Sequence, residues 1–296
     1  MPATGSRPTP HYIGRFAPSP SGPLHLGSLL AALASYLDAA AHQGTWLLRI
    51  EDIDPPREIA GASQAIIQSL QQHGLHWQGD IIWQSKHSEN FDQALNQLRL
   101  QGDLFECSCS RRQLAPFHGI HQLSCIAPPQ PGNAALRLKV ADRHIQFVDR
   151  LQGSQSENLR QVGGDPILRR RDGLYAYHLA AVVDDMHSGI TDIVRGIDLL
   201  DATPTQLYLQ ERLGAPAPRY LHIPVLAGQV GEKLSKQRGA PAIDDTQPSD
   251  NLRRCLAYLG QTPPPAELQQ PTDILNWAAQ RWQPDAIPHQ KEILVP

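Results

Sequence analysis

Three prolines within six residues, followed at once by an apolar helical pattern, constrain this chain more than any other stretch: "GRFAPSPSGPLHLGSLLAAL", Gly14 to Leu33. The prolines stiffen a turn that neither a helix interior nor a central strand tolerates. A helix start follows, with His25, Leu26, Gly27 and Ser28 at its N-terminus. Free N–H groups and the positive end of the macrodipole make such a terminus attractive to anions. Residues 12–17 read as a strand entering the turn, 27–43 as the helix closed by Gly44, and 45–50, "TWLLRI", as a buried strand. Strand, helix and strand within about forty residues predict a right-handed βαβ unit and an α/β fold on a parallel sheet.

Further along, helices are expected over 56–73, ended by Gly74, and over 87–101, ended by Gly102. Residues 105–165 are rich in cysteine, proline and glycine, with short strands at 134–139 and 145–149, and read as an insertion. Ordered structure returns at 174–183. A strand is expected at 190–195, a helix from Thr203-Pro204, a strand at 220–226 and a charged loop at 231–238. Helices at 249–259 and 273–281 complete the chain. The expected organisation is 1–104 and 166–240 as two halves of one catalytic domain, 105–165 inserted between them, and 241–296 as a short helical C-terminal region.

With 296 residues, 41% hydrophobic and 19% charged, the chain has ample material for a globular core. A net charge of −3 gives no global field for nucleic acid, so RNA binding would need a local basic patch. Residues 1–10 show no signal-peptide pattern and no apolar run approaches membrane-spanning length. Four cysteines do not make a secreted disulfide scaffold. A cytosolic protein with no membrane partner is expected.

Two stretches carry candidate chemistry. His25 at a helix start can donate to a phosphate oxygen, and Gly27 lets a planar base or ribose lie against the backbone. The alternative is a helix that merely starts near a histidine. In "GEKLSKQRG", Lys233 and Lys236 flank Ser235 in a loop able to close over a polyphosphate. The alternative is a solvated basic loop. A third stretch, "ECSCSRRQLAPFHGIHQLSC", holds Cys107, Cys109 and Cys125 with His118 and His121 between them. Three thiolates and one imidazole suit a tetrahedral structural zinc, against the alternative of three small buried cysteines. Cys255, in "LRRCLAYL", reads as packing.

In combination, "PSPSGPLHLGS" resembles the HIGH signature of class I aminoacyl-tRNA synthetases and "KLSKQ" their KMSKS loop. "RFAPSPSG", "RIEDIDPPRE", "YHLAAVVDD" and "IVRGIDLL" are similar to the glutamyl-tRNA synthetase group, from about residue 13 to about residue 240. The resemblance implies a Rossmann-type catalytic domain with a zinc-bearing insertion, using ATP with Mg²⁺ to activate L-glutamate. It implies that Arg15 and Arg195 grip the two carboxylates of glutamate bidentately, that Glu51 meets its ammonium group, and that Ser19 and Tyr177 add contacts. It places ATP against His25, Gly27, Ser28 and Lys236, with His25, Lys233 and Lys236 stabilising the leaving pyrophosphate. Asp184 and Asp185 would orient pocket groups or cap a helix. His121 stands where relatives carry a tyrosine as fourth zinc ligand, with His118 in reserve. The short stretch after Gln237 resembles a branch of the group that lacks an anticodon domain. Its members activate glutamate without tRNA and esterify queuosine, the modified wobble nucleoside of tRNA(Asp). That reading implies a monomer acting on tRNA(Asp). Two rivals are an ordinary glutamyl- or glutaminyl-tRNA synthetase in truncated form and a non-catalytic zinc- and RNA-binding module.

Overall fold

The computed structural model describes residues 11–121, 125–126, 128–129, 132–229, 232–233 and 241–295. Strands β1 (Ile13–Phe16) and β2 (Thr45–Ile50) pair in parallel through the connecting helix α1 (Leu26–Ala41), and β3 (Ile82–Trp83) adds in parallel to β2. This is the βαβ unit that the opening stretch predicts. Helix α1 stops short of residue 43 because the chain must turn back under β1. A Cβ at Gly44 would lie 2.5 Å from the Tyr12 carbonyl oxygen, so only glycine fits. The expected helix over 56–73 is broken. Pro55–Arg57 form a 3₁₀ turn, and α2 (Ala62–Gln72) begins only after Gly61, whose φ of 78° no continuing helix contains.

A second sheet has the order β7-β6-β10-β9. Here β9 (Asp192–Gly196) and β10 (Arg219–Ile223) run parallel with Arg195 opposite His222. Strand β10 is also parallel to β6 (His144–Asp149), which pairs antiparallel with β7 (Gly153–Asn158). The Thr191 N–H donates to the Ile13 carbonyl at 2.9 Å, setting this sheet edge to edge with β1. The single strand expected at 220–226 is divided by Pro224, which has no N–H to continue the ladder. Beyond it, β11 (Val225–Gln229) enters another sheet with β12 (Glu232–Lys233) and β13 (Glu292–Leu294).

Residues 105–165 are shared between sheets. Strands β4 (Leu104–Cys107), β5 (Ala135–Leu138) and β8 (Ile167–Arg169) form an antiparallel sheet of their own, whereas β6 and β7 extend the sheet of β9 and β10. After the short helices α4 (Arg111–Leu114) and α5 (Leu159–Val162), helices α6 (Tyr177–His187) and α7 (Thr203–Leu213) join α3 (Ser88–Leu100) and bury Phe91, Leu95, Leu179, Val183 and Leu209 in one core. The other core forms around α1. Its Leu29, Leu33 and Leu37 are sealed by Leu252 and Leu256 of α8 (Pro248–Tyr258) and by Ile274 and Leu275 of α9 (Pro271–Ala279). The C-terminal residues thus cover the helix that carries His25 at its start. Among the described residues no helix is long and apolar enough to cross a membrane.

Candidate active site

The C-terminal ends of β1, β2 and β9 and the N-termini of α1 and α6 surround a cleft of about 560 Å³. Arg15, Ser19, His25, Gly27, Ser28, Glu51, Tyr177 and Arg195 all line it. Residues that the sequence separates by up to 180 positions therefore meet at one surface, where open parallel sheets place their ligands. The side chain of Lys233, whose backbone lies in β12, and the whole of Lys236 fall outside the described residues.

His25 is the N-cap of α1. Its Nδ1 accepts from the Ser28 N–H at 3.2 Å, and its Nε2 lies 3.0 Å from the Ser28 hydroxyl. The imidazole thus caps the helix while bordering the cleft. A Cβ at Gly27 would stand 3.2 Å from the His25 ring, a tight fit that glycine avoids.

Both arginines are held by partners inside the protein. Arg15 donates from Nε at 3.1 Å and from Nη2 at 3.4 Å to the Asp185 carboxylate. Arg195 donates from Nε to His222 Nε2 at 2.9 Å, from Nη1 to Gln206 Oε1 at 2.7 Å, and from Nη2 to Thr203 Oγ1 at 2.8 Å and the Leu199 carbonyl at 3.2 Å. Among the described residues, Arg15 keeps its Nη1–Nη2 edge for a further acceptor and Arg195 keeps one Nη1–H. Both guanidiniums are 5% exposed, and a buried cation without internal partners would cost several kcal/mol.

A further arginine, Arg49, is absent from the sequence reading. Fully buried at the end of β2, it donates from Nη1 to Asp185 at 2.6 Å and from Nη2 to Glu51 at 3.4 Å. Burial pushes the Glu51 carboxyl up, and the Arg49 and Arg15 charges only partly offset that. Burial would also raise Asp185, but Arg15 and Arg49 more than reverse it and hold Asp185 below the usual carboxylate range. Asp184 accepts from Gln84 Nε2 at 2.7 Å and sits 2.6 Å from His87 Nδ1. The two aspartates ending the apolar run of α6 therefore hold Arg15, Arg49, Gln84 and His87 from inside the helix and do not cap it. The signals were an arginine inside an otherwise apolar strand and paired acids inside a buried helix.

A second centre lies in the β4–β5 region. The ligand atoms of Cys107, Cys109, His121 and Cys125 all fall within 4.8 Å of one another, a possible Cys₃His metal site. The Cys109 and Ile126 N–H groups point at Cys107 Sγ and Cys109 Sγ, at 3.4 and 3.2 Å. Burial and the two neighbouring thiols push the Cys125 thiol up to about 12, a mutual repulsion that a cation relieves. His121 Nδ1 lies 2.9 Å from Asp165 Oδ2, and among the described residues its buried Nε2 has no partner. An acceptor-only carboxylate takes the Nδ1 proton and leaves the Nε2 lone pair for a cation, an arrangement common to metal-bound histidines. The donor set fits. His118, the reserve ligand, is not in the cluster, and Cys255 is buried against α1 and α9.

The joined parallel strands, the capped helix over the cleft and the arginine-lined pocket together define a class I tRNA synthetase catalytic domain. The family described as "tRNA synthetases class I (E and Q), catalytic domain" matches residues 13–130 and 126–263. A glutamate tRNA ligase from Elizabethkingia meningosepticum, solved in complex with its amino acid, has a similar fold. Its TM-score is 0.77 at 23% identity, over 95% of this chain and 66% of that one. The glutamate-tRNA synthetase of Elizabethkingia anophelis gives 0.79 at 22%, over 96% and 68%. Closer in sequence are proteins named glutamyl-Q tRNA(Asp) synthetase. The one from Pseudomonas fluorescens is 50% identical over 94% of both chains, and that from Ectopseudomonas mendocina 48% identical over 95% of this chain and 97% of its own. The chain belongs to the glutamyl-Q tRNA(Asp) synthetase family within class I.

Proposed function

We propose that the cleft activates L-glutamate with ATP, without tRNA, and passes the glutamyl group to the queuosine wobble nucleoside of tRNA(Asp). The observation that carries activation is the convergence of Arg15, Arg195 and Glu51 beside the N-terminus of α1. The acceptor follows from the names of relatives about half identical over nearly their whole length.

The outward N–H groups of Arg15 and Arg195 take the carboxylates of glutamate, Glu51 its ammonium, and Ser19 and Tyr177 border it. The α-carboxylate attacks the α-phosphorus of ATP, which is bound with Mg²⁺ against His25, Gly27 and Ser28. The bond to the β-phosphate oxygen breaks and pyrophosphate leaves. In this reading a phosphate oxygen replaces the Ser28 hydroxyl as the partner of His25 Nε2–H, and Lys233 and Lys236 neutralise the departing charge. A queuosine hydroxyl then attacks the acyl carbon, AMP leaves, and the hydroxyl proton is lost to solvent. The queuosine diol resembles a ribose diol, so one transfer geometry serves both, and a splayed anticodon loop can present it. Zn²⁺ on Cys107, Cys109, His121 and Cys125 would tie β4 to the loop after it. In this reading the enzyme works as a monomer in the cytosol, alongside its tRNA substrate.

The test is acylation with radiolabelled glutamate. Queuosine-containing tRNA(Asp) should be labelled in its anticodon stem-loop; tRNA(Asp) lacking queuosine and tRNA(Glu) should not. Label on a 3′-terminal adenosine would overturn the acceptor in favour of an ordinary glutamyl-tRNA synthetase. Absence of glutamate-dependent ATP–pyrophosphate exchange would overturn activation itself.

A further inference from the structure

Arg195 faces the cleft but, among the described residues, meets no carboxylate directly. Its Nε donates to His222 Nε2 at 2.9 Å, and behind that ring His222 Nδ1 lies 2.7 Å from Asp149 Oδ2. The parallel register of β10 against β9 sets His222 beside Arg195, and β6 supplies Asp149 from the other side. His222 and Asp149 are both essentially buried. Asp149 also accepts the backbone N–H groups of Leu151 at 3.0 Å, Gln152 at 2.8 Å and His222 at 3.2 Å. An oxygen pair so loaded with donors is an ionised acceptor, so the ring proton must sit on Nδ1. The Nε2 lone pair is then the only one that can receive the Nε–H of Arg195.

We infer that Asp149 and His222 form a tautomer-locked relay that aims the guanidinium of Arg195 at the substrate carboxylate, making both positioning residues for glutamate. The relay does what a direct partner cannot. A carboxylate bonded to Arg195 would compete with the substrate's carboxylate, as Asp185 does on the Nε–Nη2 edge of Arg15. A neutral imidazole holds the Nε edge without cancelling the charge, while Gln206 and Thr203 hold parts of the other two nitrogens. Among the described residues one Nη1–H is left over. The opposite tautomer, or a charged ring, would set an N–H against the Nε–H and turn the guanidinium away.

The inference rests on the cleft activating glutamate. Its test is steady-state ATP–pyrophosphate exchange with His222→Leu, His222→Gln and Asp149→Asn, alongside thermal melting and ¹⁵N NMR of the imidazoles. His222→Leu removes the acceptor and should raise the KM for glutamate by about tenfold or more, as loss of a hydrogen bond to a charged group does. The KM for ATP should stay within about twofold, since no ATP-facing group is touched. His222→Gln restores a carbonyl acceptor and should recover most of the loss. In the parent protein His222 should carry its proton on Nδ1, and Asp149→Asn should disturb that while raising the glutamate KM. If His222→Leu does not fold, Asp149→Asn carries the test through the same two readouts. An active parent whose variants keep its glutamate KM overturns the relay alone, as do equal rises in both KM values or a bare Nδ1. A parent without glutamate-dependent exchange overturns the functional reading instead.

Discussion

At Arg49 four charges meet without solvent. The guanidinium lies 2.6 Å from Asp185, 3.4 Å from Glu51 and 4.0 Å from Asp184, and burial that would strip its proton is outweighed by these carboxylates. Removing it leaves three carboxylates with Arg15 as the one nearby guanidinium bonded to them among the described residues. We expect Arg49→Met to destabilise the protein by about 3–5 kcal/mol, the cost of breaking a buried pair from one side. Urea unfolding at neutral pH measures this, and an unchanged midpoint would refute the account. Selectivity belongs to the same scale. Arg15 and Arg195 present N–H groups only, which a carboxylate accepts more strongly than an amide does. Glutamine should therefore support exchange at least about a hundredfold less well than glutamate, because a mismatched side chain leaves buried donors poorly paired. Comparable kcat/KM values for the two amino acids would count against this pocket.

Among elements, the β4–β5 region depends on its ligand cluster more than on a core. Among the described residues the apolar cluster around the cysteines adds only Leu114, with Phe105 packed alongside. We expect about one zinc per chain, lost in Cys109→Ser, as a site with one ligand missing cannot close its tetrahedron. Asp165 acts behind His121, and its second oxygen takes the Val140 N–H at 2.9 Å, which links the cluster to the end of β5. Asp165→Asn should keep the stoichiometry but weaken zinc by about 10–100-fold in chelator competition. Equal affinity in the two proteins would show that the carboxylate has no part in holding the ligand. For the KLSKQ stretch, we expect Lys236→Ala to slow ATP–pyrophosphate exchange by about a hundredfold or more. A rate within about twofold of the parent would remove that lysine from the pyrophosphate site.

For the whole molecule, acid is the condition that tests the burial of its histidines. Burial and the Arg195 charge push His178 down to about 4, and burial also lowers His73 and His222 from the ordinary 6.5. The unfolded chain therefore takes up these protons first as pH falls. The stability contributed by the neutral rings is complete above about 6.5 and is lost progressively towards about 4. Asp38, Asp149 and Asp185 lie below the usual carboxylate range despite burial, through Arg150, His222 and the Arg15–Arg49 pair, so their share is lost only at lower pH. Urea unfolding across that window should show stability falling with pH, and His178→Gln should flatten the slope. An identical slope in the variant would assign the loss elsewhere.

The sequence by itself determined what depends on neighbours along the chain. The proline turn before α1, the β1–α1–β2 unit, the two synthetase-like signatures and the C-x-C with its later cysteine are local patterns. Period, turn chemistry and ligand spacing act over a few residues, and so they are legible there. Proline and glycine also misled where their effect was local but underweighted, as at Pro224 and Gly61. The tertiary structure alone decided which charges face one another. Arg15 and Asp185 are 170 positions apart, Arg49 and Asp185 136, and Asp149 and His222 73. No periodicity encodes such pairs, because each follows from which strand lies beside which once the sheets close. That closure gave both arginines fixed partners inside the protein, Asp185 for Arg15 and His222, Gln206 and Thr203 for Arg195. Burial demanded internal partners for both cations, and the fold supplied them from distant parts of the chain.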